Sequence, residues 1–428
     1  MSEITLAGLF LSFFAIILYE LRVRSASIVL WGGLFIFFAI PHGIDILHKS
    51  KNYIEATYLT ATIFALSFNI IYLFSRILLK DVKIPTLRWL TISSRSHIAS
   101  RYTLILFVSL AASVVLLLMH IHTTFGTFSD FTWIDLFDNR QSFYYIISSY
   151  LLTFSAPLVY VAIIERKYRL TLIALMLLVV VLILSRVRAN AIAMFIPLIV
   201  LYLYSGRTYT KTLKRLTVTS IFGLFFITLV LGFGAIRVFG DYSQTIGLKD
   251  VIQTTVDLIS SPHSEFGLRN AFYHFIENDN EYEGFISGLG YIRLALMPIP
   301  SSLSFDLKPI DFASYMAIAY APEFSILGVN SMHPTLYGDL FGNFYYFGVF
   351  SGIFWAALIK ILDSLYLHQN RNVFAASIFV SVVYSLTLVA RGAIYNGLFN
   401  VYFTFAVSWI ISFVLINKFR SPRLCTHD

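Results

Sequence analysis

Long apolar runs separated by short polar joints repeat along almost the whole 428-residue chain. About 20 apolar residues are what a helix needs to cross a bilayer core. Eleven segments approach that length, at 4–19, 26–40, 56–79, 102–122, 143–164, 170–185, 189–205, 216–234, 341–359, 373–389 and 397–416. Lipid offers a backbone no hydrogen-bond partners, so runs of this kind fold as helices that satisfy themselves. The expectation is an all-α polytopic membrane protein with about 11 (10–12) transmembrane helices. Composition agrees, with 58% apolar and only 13% charged residues, where a soluble domain carries about 25% charged.

The exception to the pattern is a stretch of roughly a hundred residues, Ala235 to about Asp339. It divides the chain into residues 1–234, a bundle of the first eight helices, residues 235–340, one large loop, and residues 341–428, the last three helices and a short tail. Sorting charges by alternate joints places 20 basic and 5 acidic residues on one side, and 11 basic and 18 acidic on the other. Cytoplasmic joints carry the excess of Lys and Arg. The C-terminus is therefore expected inside, and the N-terminus and large loop outside. The net charge of +8 then reflects topology rather than affinity for nucleic acid. The start Met1-Ser2-Glu3 lacks the basic region of a cleavable signal peptide. One cysteine, Cys425, leaves no internal disulfide and argues against a thiolate metal site.

The loop carries Phe266, Phe272, Tyr273, Phe275, Tyr291 and Phe312 among other aromatics, enough apolar surface to pack. Phe285 to Met297 is apolar but too short to span, which suits a re-entrant or interfacial helix. Ala313–Ala321 reads as a short helix ended by Pro322. The acidic run within Asn270–Glu283 reads as a solvated surface segment.

Seven of the eleven basic residues on the outer side are arginines, at Arg140, Arg186, Arg188, Arg237, Arg269, Arg293 and Arg391. Arg186 and Arg188 sit in the turn between the sixth and seventh spans, Arg237 follows the eighth, and Arg391 lies between the last two. A single arginine there reads most simply as a partner for lipid phosphate or an acidic side chain. Several at one mouth suit a polyanion, because a guanidinium holds phosphate oxygens bidentately and stays charged when partly buried. His333, before the ninth span, could accept a proton from a substrate hydroxyl, with Asp339 or Glu323 as a carboxylate base or as a partner that orients the imidazole. A structural role for a lone loop histidine competes with that reading. His120 and His122 point about 200° apart around a helix, a poor arrangement for metal. No metal site and no cofactor are expected, and no phosphate-binding glycine loop occurs.

The Ser185-Arg186-x-Arg188 hairpin, the long late loop, and the exit through Met332-His333-Pro334 to Leu340-Phe341-Gly342-Asn343-Phe344 and Gly348 resemble the O-antigen and oligosaccharide repeat-unit polymerases (Wzy type). These are related to the O-antigen ligases within the GT-C class. The resemblance implies a GT-C-like fold in the bacterial inner membrane with its site facing the periplasm. It implies a glycan on polyprenyl pyrophosphate as donor, a second lipid-linked unit as acceptor, inversion at the anomeric carbon, and a chain-length regulator as a partner. Charge developing on pyrophosphate calls for preorganised cations. Arg186, Arg188, Arg237 and Arg293 are the candidates for that clamp, with Arg140, Arg269 and Arg391 behind them. His333, with Asp339 or Glu323, is the candidate for activating the acceptor hydroxyl. A ligase acting on a lipid A core would use nearly the same residues. A lipid-linked oligosaccharide flippase would instead place charge within spans and show repeats, and no motif argues for an acyl- or phosphotransferase.

Overall fold

The computed structural model describes residues 2–48, 52–83, 96–126, 136, 139, 142–185, 188–204, 211–212, 214–218, 267–281, 286–297, 299, 307–309, 312, 316, 333–368 and 372–418. Among them there is no strand, and eight helical stretches are long and apolar enough to cross a membrane. These are Glu3–Val23, Ile28–Leu47, Glu55–Leu78, His97–Phe125, Phe143–Ile164, Thr335–Tyr366, Val373–Ala390 and Ile394–Leu415. The expected spans at 170–185 and 189–205 are also helical, as Tyr168–Ser185 and Arg188–Tyr204. Most of the expected span at 216–234 lies outside the described residues. The chain is thus a multi-pass membrane protein.

Helices are numbered in chain order: α1 (Ser2–Val23), α2 (Ile28–Leu47, with a π turn at Phe35–Ala39), α3 (Glu55–Leu78), α4 (Ser96–Phe125), α5 (Phe143–Ile164), α6 (Tyr168–Ser185) and α7 (Arg188–Tyr204). After the long loop begins come α8 (Leu268–Glu277) and α9 (Leu289–Ala295), then α10 (Thr335–Phe344), a 3₁₀ stretch at Tyr345–Phe350, α11 (Ser351–His368), α12 (Val373–Ala390) and α13 (Ile394–Lys418). Backbone contacts divide the chain into two compact units. The first comprises Met1–Val82, Ile199–Lys360 and Leu386–Gly397, and the second Lys83–Leu198, Ile361–Ser385 and Leu398–Asp428.

The first unit is built on aromatic packing. Trp31 lies 4.6 Å from Tyr72 between ring centroids, and Tyr337 of α10 meets Phe38 at 4.9 Å and Phe68 at 5.5 Å. Several of its buried polar groups pair with one another. Tyr337 Oη donates to Asn69 Oδ1 at 2.7 Å, and Asn69 Nδ2 donates to Ser12 Oγ at 2.9 Å. Arg76 Nε and Nη2 donate to the two carboxylate oxygens of Glu20, each at 2.8 Å, and Tyr72 Oη donates to Glu20 as well. Arg76, one of the 20 basic residues counted on the expected cytoplasmic side, is therefore consumed inside the unit, 3% exposed.

The acidic residues of the strip expected for 270–283 are solvated where described, but the turns that lead into them are not. Leu268 to Tyr273 and Phe275 are buried, and only the end at Glu277–Asp279 and Glu281 is exposed. The reason is register: α8 turns Phe272 and Phe275 onto α10, where Gly338 and Gly342, four residues apart, leave room for them. A Cβ on these glycines would come within 2.9 Å of Phe272 Cβ and 2.8 Å of the Phe275 ring. The helix of the ninth span accordingly begins at Thr335 rather than at Phe341. A short helix, α9, lies within the predicted interfacial segment, whereas the predicted helix at 313–321 falls outside the described residues apart from Met316.

In the second unit α4 and α5 interlock through serines, Ser113 Oγ donating to Ser148 O at 2.9 Å and Ser148 Oγ to Ser113 O at 2.8 Å. Tyr102 packs on Phe374 at 4.5 Å and shares a 2.9 Å hydrogen bond with Ser408.

The Glu20–Arg76 pair gives a first prediction. Breaking a buried pair from one side costs about 3–5 kcal/mol, while replacing both charges by apolar groups of similar volume is near neutral. Arg76→Met should therefore lower unfolding stability in detergent micelles strongly, and Glu20→Leu added to it should recover most of the loss. Equal stability of Arg76→Met and the parent would contradict this account.

Candidate functional site

Thr335 opens α10 at φ +64°, a conformation that a β-branched residue resists. It is held there by a backbone seam. Thr335 N donates to Arg391 O at 3.0 Å, and Gly392, at φ +92°, lies directly against it. A Cβ on Gly392 would stand 2.7 Å from Thr335 O and 2.8 Å from Thr335 N, so only glycine fits both the space and the φ. The seam fastens His333 and Pro334 to the α12–α13 joint.

Beside the seam is a cavity of about 20 Å³, lined by Tyr291, Arg293, Phe312, His333, Asp339 and Tyr395 together with backbone at Gly290 and Gly392. That volume holds roughly one water-sized group. All its walls belong to the first unit. α9 supplies Tyr291 and Arg293, and Gly290 lets it approach α10, its would-be Cβ 3.1 Å from Asn343 Oδ1. On α10, Asp339 and Asn343 share a face at i, i+4. Asn343 Nδ2 donates to Asp339 O at 2.9 Å and to Oδ1 at 3.4 Å. Arg293 Nη1 donates to Pro309 O, and its Cζ lies 4.6 Å from the centroid of the Tyr395 ring.

Two lining residues each carry a buried polar atom without a hydrogen-bond partner, His333 Nδ1 and Arg293 Nε, while the Tyr291 phenol interacts with Asp339. Buried polar groups are otherwise satisfied almost throughout native proteins, so such a cluster marks a place built for something other than packing. His333 is partly exposed as a residue, though its Nδ1 is buried. Burial first, and then the charge of Arg391, push its pKa down to about 3. The imidazole is consequently neutral and can accept a hydrogen bond. Burial, with the charge and hydrogen-bonding influence of Asp339 added, raises the Tyr291 phenol well above its ordinary value. The cavity therefore presents a guanidinium, a neutral imidazole, a phenol and a carboxylate to one small volume.

Of the residues singled out from sequence, His333, Asp339 and Arg293 meet at this cavity, and Arg391 is joined to it through the seam. Arg269 goes elsewhere. Its Nε and Nη2 donate to Asp45 Oδ2 and Oδ1 at 2.5 and 2.8 Å, side chains 7% and 13% exposed. Burial alone would lower the Arg269 pKa, and the hydrogen bond and charge of Asp45 reverse that and hold it above the usual arginine value. Arg140, Arg186, Arg237 and Glu323 lie outside the described residues, and of Arg188 only its place at the start of α7 is described.

Around Asp45 runs a network that sequence reading missed. Tyr273 Oη lies 3.4 Å from Asp45 Oδ2 and 2.5 Å from His42 Nδ1, and His42 Nε2 lies 2.8 Å from Thr62 Oγ1. Thr62 donates its proton to Tyr58 O, so it accepts from His42 Nε2–H, and Nδ1 accepts from Tyr273. The signal for it was present: His42-x-x-Asp45 puts two ionisable groups in one span, and such groups are rare there without a role. Tyr291 and Tyr395 were also missed, since an interfacial tyrosine carries no spacing signal.

The His333 shift has a definite sign. A folded pKa below the free value near 6.5 means that the unfolded chain takes up the proton first. The effect vanishes above about pH 6.5 and stability falls as pH drops from there toward 3. Nitrogen-15 NMR of histidine-labelled protein in micelles should find His333 neutral at about pH 5, where a free histidine is charged. His333→Gln should flatten the acid loss of stability. A His333 midpoint near the free value would contradict this description of the site.

No protein-family model, no curated protein and no solved structure matches this chain.

Proposed function

We propose that the chain is a membrane glycosyltransferase that joins oligosaccharide repeat units carried on polyprenyl pyrophosphate, as O-antigen-type polymerases do, at the outer face of the bacterial inner membrane. The observation that carries this reading is the convergence of His333, Asp339 and Arg293 on one cavity with Arg391 beside His333. Glycosyl transfer from a pyrophosphate needs those two kinds of group together, an acceptor for a hydroxyl proton and cations for a leaving oxyanion. The basic joints that put this face outside support the location. In this reading the fold is GT-C-like with about eleven spans. The eight apolar helices, α6, α7 and segment 216–234 make up that number.

The step balances without a cofactor. The O–H bond of the acceptor sugar breaks as its oxygen bonds to the anomeric carbon of the donor from the far side. The bond from that carbon to the pyrophosphate oxygen breaks, and the oxygen leaves with the electron pair toward Arg293 and Arg391. The proton passes to His333, or to Asp339 across the cavity. Neutral His333 is a weak base because burial first, and then the positive charge of Arg391, lower its pKa. A bound pyrophosphate offsets that positive charge and moves the imidazole toward basicity when the donor is in place. The cavity has room for the reacting oxygen alone, so the lipid and the rest of each glycan lie beyond it. Arg140, Arg186, Arg188, Arg237 and Glu323 remain candidates from the sequence alone, while Arg269 is assigned to holding α8.

Purified protein supplied with synthetic lipid-linked repeat units should make longer lipid-linked chains. His333→Ala should lower the rate by about 10²–10⁴-fold, the usual span of general acid–base catalysis, with unchanged membrane insertion. Release of polyprenyl pyrophosphate without chain growth would sink polymerisation and leave transfer to another acceptor, such as a lipid A core. Full activity in both His333→Ala and Arg293→Ala would remove this site from the reaction.

A further inference from the structure

Tyr395 has two cations on it. Arg293 Cζ lies 4.6 Å and Lys308 Nζ 5.6 Å from the centroid of its ring, both within the range at which an aromatic quadrupole attracts a cation. Each head group is also steered by a backbone carbonyl, Arg293 Nη1 by Pro309 O and Lys308 Nζ by Ile299 O at 2.9 Å. Carbonyls and a ring fix these groups in place without an ion pair, although the Asp339 carboxylate shares the cavity with Arg293. Among the described residues the ion pairs are Glu20–Arg76, Glu165–Lys167 and Asp45–Arg269, and neither Arg293 nor Lys308 has a carboxylate. Asp306 and Asp311, near Lys308 in sequence, lie outside the described residues.

Two like charges held at one ring repel each other, and an anion within reach of both would relieve that. The spare hydrogen-bonding capacity has the same character. Arg293 Nε is buried with no partner, and the Lys308 ammonium has donors beyond the one given to Ile299 O. Both residues can only donate, so the matching ligand group can only accept and carries negative charge. Arg293 and Tyr395 line the cavity, which places this pair at its edge.

We infer that Arg293 and Lys308, carried on the Tyr395 ring, form an oxyanion-binding shelf beside the cavity. It takes a phosphoryl or carboxylate group of a bound molecule. The shelf stands without the glycosyl-transfer reading. Where that reading also holds, the shelf deepens it, because a repeat unit on pyrophosphate has two sources of such a group, the phosphates of the lipid carrier and an acidic sugar in the glycan.

The test uses the full chain in nanodiscs, titrated calorimetrically with inorganic pyrophosphate, inorganic phosphate and glucuronate. Lys308→Met keeps the alkyl stem and should weaken binding of at least one anion by about tenfold, the loss expected for one charge-assisted hydrogen bond. Lys308→Arg should restore it. Arg215→Met serves as the control, since Arg215 also sits over a tyrosine ring, Tyr202, at 5.0 Å, and it should leave affinity unchanged. A loss confined to pyrophosphate and phosphate assigns the shelf to the carrier. A loss confined to glucuronate assigns it to an acidic sugar. The proposal is overturned if the parent binds none of the three, or if Lys308→Met binds all three as the parent does. A parent that binds anions but builds no longer chains keeps the shelf and sinks the polymerase reading, whereas chain growth with no Lys308-dependent binding sinks the shelf alone.

Discussion

Arg269 and Asp45 meet in a bidentate pair at a depth where neither charge is tolerable without the other. On a water-exposed surface the same contact would contribute little. Here it decides where α8 lies. Once Arg269 is committed to Asp45, and Tyr273 to His42, α8 turns Phe272 and Phe275 toward Gly338 and Gly342. α10 is thereby fixed along its length, and Asn280 Nδ2 adds a bond to Phe341 O at 3.0 Å. The positions of Asp339 and His333 follow from that of α10. An ion pair that touches no substrate thus sets the geometry of the groups that could.

The two polar regions of the first unit differ in a way that separates scaffold from site. Around Asp45 and around Glu20 the charged groups are paired, and each network holds one helix against another, with Trp31 Nε1 beside Tyr72 the atom left over near Glu20. At the cavity the chemistry-bearing atoms themselves, His333 Nδ1 and Arg293 Nε, lack partners. Both regions are rich in the same residue types, so composition alone does not tell them apart. The balance of hydrogen bonds does.

The spans were legible because lipid imposes one rule on every crossing, and apolar runs report it directly. Their ends were less so. α10 begins at Thr335 because two glycines and a buried α8 extend its packed face, and that depends on a partner distant in sequence. Arg269 looked like the other outer arginines, and only the position of Asp45 distinguishes it. The acidic residues after Asn270 were legible as a solvated end, but the buried turns before them were not, because the charges dominate the composition of the segment. His333, Asp339 and Arg293 were readable as chemistry-bearing residues, yet their meeting point was not, since it is made by a seam between segments more than fifty positions apart.

The seam also governs how this chain can diverge. Thr335 holds a left-handed backbone only while Arg391 O accepts its N–H and Gly392 leaves room for it. A side chain at 392 forces Thr335 away, whereas a relaxed Thr335 still leaves the φ of +92° that favours glycine at 392. The dependence therefore runs one way, from the glycine to the threonine. A chain that keeps the cavity must keep that glycine, however freely the surrounding apolar helices exchange one aliphatic residue for another.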